Sequence, residues 1–199
     1  MVTVFKISLM KRGNTLQCKV SSVGVRPEQV QNGQDYERAF AEAFERHRPF
    51  SRLDVVIDSP GGAIESACGL LSAIEALDVP VNVLIDGQCG SAAGLVAFSN
   101  TWPVDITPNS RVTVHMPTAA GYRNEGGAWT LIRKLATQSS IHLLAGTYAA
   151  RTKRRKKVCR EWMEQGRTFT AEEAVENDLC RYILRRFEWE AMLNADTGL

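Results

Sequence analysis

Two consecutive stretches of this chain read strand, small-residue turn, helix, and that repetition restricts the possible folds more than any other feature. Leu53-Asp54-Val55-Val56-Ile57 is an apolar run of strand length, and Ser59-Pro60-Gly61-Gly62 has turn chemistry. Ala63 to Leu77 then carries Ile64, Ala67, Leu70, Leu71, Ile74 and Leu77 on one helical stripe. Asp78-Val79-Pro80 breaks that helix. Val81 to Ile85 is the next strand, Gly87 to Gly90 the next turn, and a helix of small residues starts at Ser91. Strand, helix, strand, helix in this order predicts an α/β fold with a parallel sheet of βαβ units and right-handed crossovers.

The flanks fit around that unit. Val2, Val4, Ile7 and Leu9, then Leu16, Cys18 and Val20, alternate about Gly13-Asn14, which predicts a hairpin. Gln34 to Arg48 repeats Tyr36, Phe40 and Phe44 at helical spacing, and Pro49 ends it. Arg111 to His115 is a further strand, closed by Pro117, and a glycine-bearing loop with Gly121, Gly126 and Gly127 follows. A long helix is expected from about Ala128 to Ala150, with apolar residues Leu131, Ile132, Leu135, Ile141, Leu143 and Leu144 on more than one face. Thr170 with Glu173 is a capping box, and Cys180 to Leu184 reads as a last strand. No repeat or linker interrupts the chain, so residues 1–199 are expected to form a single domain.

Composition narrows the function classes. No apolar run approaches the roughly 20 residues that span a bilayer, and the N-terminus lacks signal-peptide order, so a cytoplasmic protein without a membrane partner is expected. Five scattered cysteines without a C-x-x-C pair speak against a disulfide framework or a metal site. A net charge of +2 gives no general pull toward nucleic acid. Arg151 to Lys157 places six bases in seven residues, which reads as a solvated helix end or a patch for an acidic partner or nucleic acid. No aromatic residue is interleaved there to stack on bases, so a nucleic-acid partner is not expected.

The chemistry sits in the two turns. Ser91 lies between a strand and a helix among Gly90, Ala92, Ala93 and Gly94, where a hydroxyl is exposed beside free helix N-terminal N–H groups. The same residues suit an ordinary tight turn with a capping serine, and the literal G-x-S-x-G pattern is absent. Gly61-Gly62 ends the adjacent strand, and paired glycines let a backbone approach a ligand with N–H groups turned inward. Gly62 N–H and Ala92 N–H are therefore the candidate oxyanion hole. Of three histidines, His47 ends an amphipathic helix and His142 lies within the long helix. His115 ends a strand of the same sheet and is the candidate general base for Ser91. This chemistry needs no cofactor.

Ile57 to Gly62, Gly87 to Gly94 and Pro108 to Pro117 together resemble the three signature blocks of the Clp protease proteolytic-subunit family, in order and with similar spacing. Ala171 to Glu176 resembles its C-terminal A-x-E-A segment, so the likeness covers about Leu53 to Leu184. The resemblance implies a crotonase-like, ClpP-like α/β fold with a long protruding handle helix, here at about residues 128–150. It implies a serine endopeptidase with a Ser-His-Asp triad, working on protein or peptide substrates inside stacked homo-oligomeric rings. It assigns Ser91 as nucleophile, His115 as base and the loop from about Thr118 to Gly127 as the border of the substrate groove.

Three departures stand out. The chain starts almost at its first strand, which argues against docking to an AAA+ unfoldase and suits short members that act as phage or prophage head-maturation proteases. The basic run replaces an uncharged turn. The triad aspartate position holds Gly166. Glu164 is the nominated third member, with Glu161 nearby, Asp105 another candidate, and a Ser-His dyad held by water or a backbone carbonyl the remaining option. Other readings are a catalytically impaired ring or assembly subunit, a signal-peptide-peptidase-like enzyme using Ser91 with Lys134, and, last, an acyl-CoA hydratase on the same fold.

Overall fold

The computed structural model describes residues 2–25, 29, 31–125, 128–135 and 138–196. The chain opens with an antiparallel hairpin, β1 (Val2–Arg12) and β2 (Thr15–Val25), in register from Val2↔Val25 to Arg12↔Thr15 around Gly13-Asn14. Helix α1 (Gly33–Glu45) is capped by the Asn32 side chain, which accepts from Asp35 N at 2.9 Å. It buries Tyr36, Phe40 and Phe44, as their four-residue spacing requires. Then come β3 (Arg52–Ser59), α2 (Ile64–Glu75), β4 (Val81–Gly90), α3 (Ala93–Phe98), β5 (Val104–Ile106) and β6 (Arg111–Thr113). The chain continues through β7 (Thr118–Glu125), β8 (Ala128–Leu135), α4 (Gln138–Thr152), α5 (Lys156–Gln165), β9 (Thr168–Phe169), α6 (Ala171–Glu176) and α7 (Arg186–Asp196).

One mixed sheet organises these elements in the order β1-β2-β3-β4-β6-β9, with β5 also paired to β4. The inner pairs β2–β3, β3–β4, β4–β5 and β4–β6 are parallel, and β6–β9 is antiparallel. Both faces of β3 and β4 are covered, which is why their sequences are nearly unbroken apolar runs. Val55, Ile57, Val83 and Ile85 face the main core with α1, α2, α3 and α4. Val56 and Leu84, one residue out of phase, face Trp189 and Leu193 of α7.

The structure corrects three expectations. The helix expected from about Ala128 begins instead at Gln138. Residues 128–135 form β8, paired to β7 from Thr118↔Leu135 to Glu125↔Ala128. The apolar residues there fit a strand as well as a helix, and the Gly126-Gly127 dipeptide that separates the two runs is a hairpin signal. Those two glycines lie outside the described residues. Leu131, Ile132 and Leu135 thus sit on a strand, and the two-faced-helix argument for a ring loses them. Secondly, Gly87 to Gly90 is not a turn but the end of β4, because Cys89 pairs with Ser59 while Gln88, Cys89 and Gly90 pair with β6. Thirdly, Cys180 to Leu184 is not a full strand. It runs beside β5 through Arg181 N–Val104 O, Ile106 N–Tyr182 O and Leu184 N–Ile106 O, with one bridge at Ile106↔Ile183.

Candidate active site

Ser91 follows the last residue of β4 and precedes α3, and it has φ +52°. A non-glycine residue in the left-handed region costs roughly 1–2 kcal/mol, so the surrounding structure must hold it there. Two contacts do so. Ser91 N donates to Thr113 O at 3.1 Å, and Gly94 N donates to Ser91 O at 3.0 Å. The strain absent from the literal sequence pattern is thus present in the backbone, as at a nucleophile elbow.

The Gly61-Gly62 turn packs directly on this elbow. A Cβ on Gly61 would lie 2.5 Å from Gly90 O and 2.7 Å from Ser91 Cβ, and Gly61 itself has φ +104°. Only glycine fits both constraints. Gly62 N–H and Ala92 N–H find no acceptor among the described residues, whereas their neighbours do: Gly61 N donates to Ser59 Oγ and Ala63 N to Thr3 O. Two unpaired donors beside a strained serine are the elements of an oxyanion hole.

His115 reaches the same place by strand register. Gly90 pairs with Thr113, and β6 lies about 4.8 Å from β4 as adjacent strands do. His115, two residues beyond Thr113, therefore leaves the same sheet edge as Ser91. Its Nδ1 lies 2.8 Å from Met116 O. A carbonyl only accepts, so Nδ1 carries a proton, and in the neutral ring that makes Nε2 the basic nitrogen, the tautomer a general base needs. Among the described residues no hydrogen bond joins Ser91 Oγ to His115. Such bonds commonly tighten only around substrate.

Among the described residues no carboxylate takes the place of the Met116 carbonyl. The segment that should supply one is adjacent: Val114 N donates to Arg167 O at 2.8 Å and Met116 N to Met163 O at 2.9 Å. Its central residue is Gly166, which ends α5 in a left-handed cap with φ +61°. Glu164 does not meet His115. Its half-exposed carboxylate accepts from Arg160 Nε at 3.0 Å, one helical turn away. Glu161 is exposed on the same helix. Asp105 is wholly buried in a bidentate pair with Arg181, at 3.0 and 2.8 Å. The side chain of Lys134, on β8, lies outside the described residues, as do the tip glycines of the loop from Thr118 to Gly127.

The other histidines bond their local backbone: His47 Nδ1, just past α1, bonds Ala43 O, and His142 Nδ1 bonds Gln138 O within α4. Cys89, two residues before Ser91, is a poor rival nucleophile because burial pushes its thiol up to about 12. Among the described residues no group of three or more His, Cys, Asp or Glu is gathered to hold a metal, and no helix is long and apolar enough to cross a membrane. The basic run is partly structural. Arg151 donates to Leu179 O and Trp102 O, and Arg154 stacks on Trp162, while Lys153, Arg155, Lys156 and Lys157 are exposed. The sequence leaves a backbone carbonyl open as the partner of His115 without identifying it as that of Met116, and it gives no sign of the Ser22–Ser59 pair that holds Gly61. No sequence pattern marks either.

Known proteins share the sequence pattern and the fold of this chain. The Clp protease family profile matches residues 38–186. The chain is 25% identical over 142 residues to the ATP-dependent Clp protease proteolytic subunit 2 of Frankia casuarinae, covering 71% of this chain and 64% of that protein. It is 25% identical over 134 residues to the proteolytic subunit 1 of Protochlamydia amoebophila, covering 67% and 65%. The chain thus spans just under two thirds of the length of these relatives. Among solved structures, the ClpP protease catalytic domain from Plasmodium falciparum superposes with a TM-score of 0.55 at 14% identity, covering 77% of this chain and 78% of that one. A 1510-N membrane-bound stomatin-specific protease, in complex with a substrate peptide, superposes with 0.56 at 15% identity, covering 87% and 75%. At such identity the structural likeness speaks for the fold.

Proposed function

From the premise that this chain belongs to the Clp protease family, we propose that it is a serine endopeptidase working through a Ser91–His115 dyad. The observation that carries the reading is the packing of the Gly61-Gly62 turn on the end of β4: a serine held at φ +52°, packed on Gly61, with two N–H donors beside it that find no acceptor among the described residues. In this mechanism Ser91 Oγ attacks the scissile carbonyl while His115 Nε2 takes its proton. The oxyanion that forms is held by Gly62 N–H and Ala92 N–H. His115 then protonates the leaving amine, and water hydrolyses the acyl-enzyme by the reverse sequence. The Met116 carbonyl does part of a triad carboxylate's work. It fixes the tautomer and orientation of the imidazole, but brings no full negative charge to the imidazolium.

A homo-oligomeric ring is part of the proposal, supported by the family and by Leu143, Tyr182 and Phe187, large apolar residues left exposed at 44%, 52% and 63%. A phage head-maturation role and a cytoplasmic location remain readings of the sequence alone. The experiment is hydrolysis of casein or a fluorogenic peptide by wild type, Ser91→Ala, His115→Ala and Lys134→Ala. Loss of a nucleophile or base costs up to roughly a millionfold. The reading expects that loss from the first two variants and not the third. Inactivation by Lys134→Ala with His115→Ala active would turn the assignment to a Ser-Lys enzyme.

A further inference from the structure

We propose that Ser22, on β2 and outside the residues that match the family profile, is a positioning residue that aims the Gly62 N–H at the oxyanion. The proposal rests on the serine-peptidase reading above. Its basis is a closed loop of hydrogen bonds through one residue, Gly61. Gly61 N–H donates to Ser59 Oγ at 3.1 Å. Ser22 Oγ donates to Gly61 O at 2.7 Å. The two serine hydroxyls are themselves in close hydrogen-bonding contact. Ser22 has one proton, and it is spent on Gly61 O. Ser59 must therefore donate to Ser22, and every bond of the loop runs in the same sense. Bonds so aligned polarise one another.

The consequence falls on the next residue. Gly61 C=O and Gly62 N–H are opposite ends of a single planar peptide unit. Fixing the carbonyl fixes the direction of the N–H, and a donor on the carbonyl strengthens that N–H as a donor. This peptide needs such a hold. It is flanked by two glycines, the residues with the widest backbone freedom, and Gly61 sits at φ +104°. An oxyanion donor is useful only if it is aimed before the reaction. Ser59 is wholly buried and ends β3, whereas Ser22 reaches across from the neighbouring strand, beyond the β2–β3 register that ends at Val20↔Ile57. The other donor has a weaker counterpart: Tyr148 Oη lies 3.5 Å from Ser91 O, the carbonyl of the peptide that carries Ala92 N–H. That oxygen already accepts from Gly94 N. At the edge of hydrogen-bond distance, Tyr148 is expected to matter far less than Ser22.

The test uses the full chain and a fluorogenic peptide, comparing wild type with Ser22→Ala, Ser22→Thr and Ser22→Val. Removing an oxyanion donor outright costs roughly a hundred- to a thousandfold in kcat, so misaiming one is expected to cost about 10- to 100-fold. KM should stay within about twofold, because the contact acts on the transition state and not on ground-state binding. Ser22→Thr keeps the hydroxyl and should recover most of the rate. Ser22→Val matches Thr in shape without the hydroxyl and should not, so this pair carries the comparison even where Ser22→Ala fails to fold. Equal kcat for the Thr and Val variants, or a loss confined to KM, overturns the role of Ser22 and leaves the peptidase reading standing. A well-folded wild type that neither hydrolyses peptide nor reacts with a fluorophosphonate overturns the peptidase reading and this proposal with it.

Discussion

Replacing Gly61 by alanine tests the close approach on which the site depends. The added Cβ would sit 2.5 Å from Gly90 O, 2.7 Å from Ser91 Cβ and 3.2 Å from Ala92 N. These neighbours are the elbow itself, with no flexible side chain that could move aside. The backbone at φ +104° adds strain of about 1–3 kcal/mol for a residue with a Cβ. Overpacking adds about 1–3 kcal/mol more, so the total is about 2–6 kcal/mol. Gly166→Ala is the control: its φ is +61° and a Cβ there meets nothing within 4 Å. It should lose only the left-handed penalty of roughly 1–2 kcal/mol. In a domain of this size 1 kcal/mol moves Tm by about 2–4 °C, so thermal melting separates the two variants. Hydrolysis is then read on folded protein: Gly61→Ala should be crippled because Ser91 is displaced, and Gly166→Ala should retain most activity. Gly61→Ala melting as high as Gly166→Ala with full turnover would refute the argument.

Two further outcomes follow from the contacts around the site. Glu164→Gln removes only an exposed pair with Arg160, worth about 0.3–0.5 kcal/mol, and should leave turnover within about threefold of wild type. A loss approaching the roughly ten-thousandfold of a triad carboxylate would reinstate Glu164 as the orienter of His115. Alkylation of the folded chain with iodoacetamide at pH 8 should spare Cys89, whose buried thiol stays protonated far above that pH, and should not inhibit hydrolysis. Ready modification of native Cys89 would contradict its burial and its raised thiol.

The parts of the fold legible in the sequence are those where local pattern and tertiary packing agree. The βαβα unit from Leu53 to Phe98 was readable because the strand runs, the Gly61-Gly62 turn and the stripe of α2 all fitted the expected pattern. The hairpin of β1 and β2 was marked by Gly13-Asn14. Other parts were set by long-range pairing. Gly87 to Gly90 looks like a turn and becomes strand because β3 and β6 pair with it from either side. Helix α7 lay past the recognised blocks, although Trp189 and Leu193, four residues apart, carry its buried face. Within the site, Ser91, His115 and the Gly61-Gly62 turn were readable as residue types at the ends of strands. Met116 and Ser22 were not, since one acts through a backbone carbonyl and the other bonds a carbonyl 39 residues away across a strand pair.

The central claim is that Ser91 is an activated nucleophile. Labelling the native chain with a fluorophosphonate, followed by mass mapping of the modified peptide, addresses it most directly. The probe bonds to an activated hydroxyl and uses the same oxyanion donors as the substrate. The account predicts one adduct, on Ser91, absent from Ser91→Ala and sharply slowed in His115→Ala. An unlabelled but folded chain, or an adduct on a different residue that persists in Ser91→Ala, would contradict it.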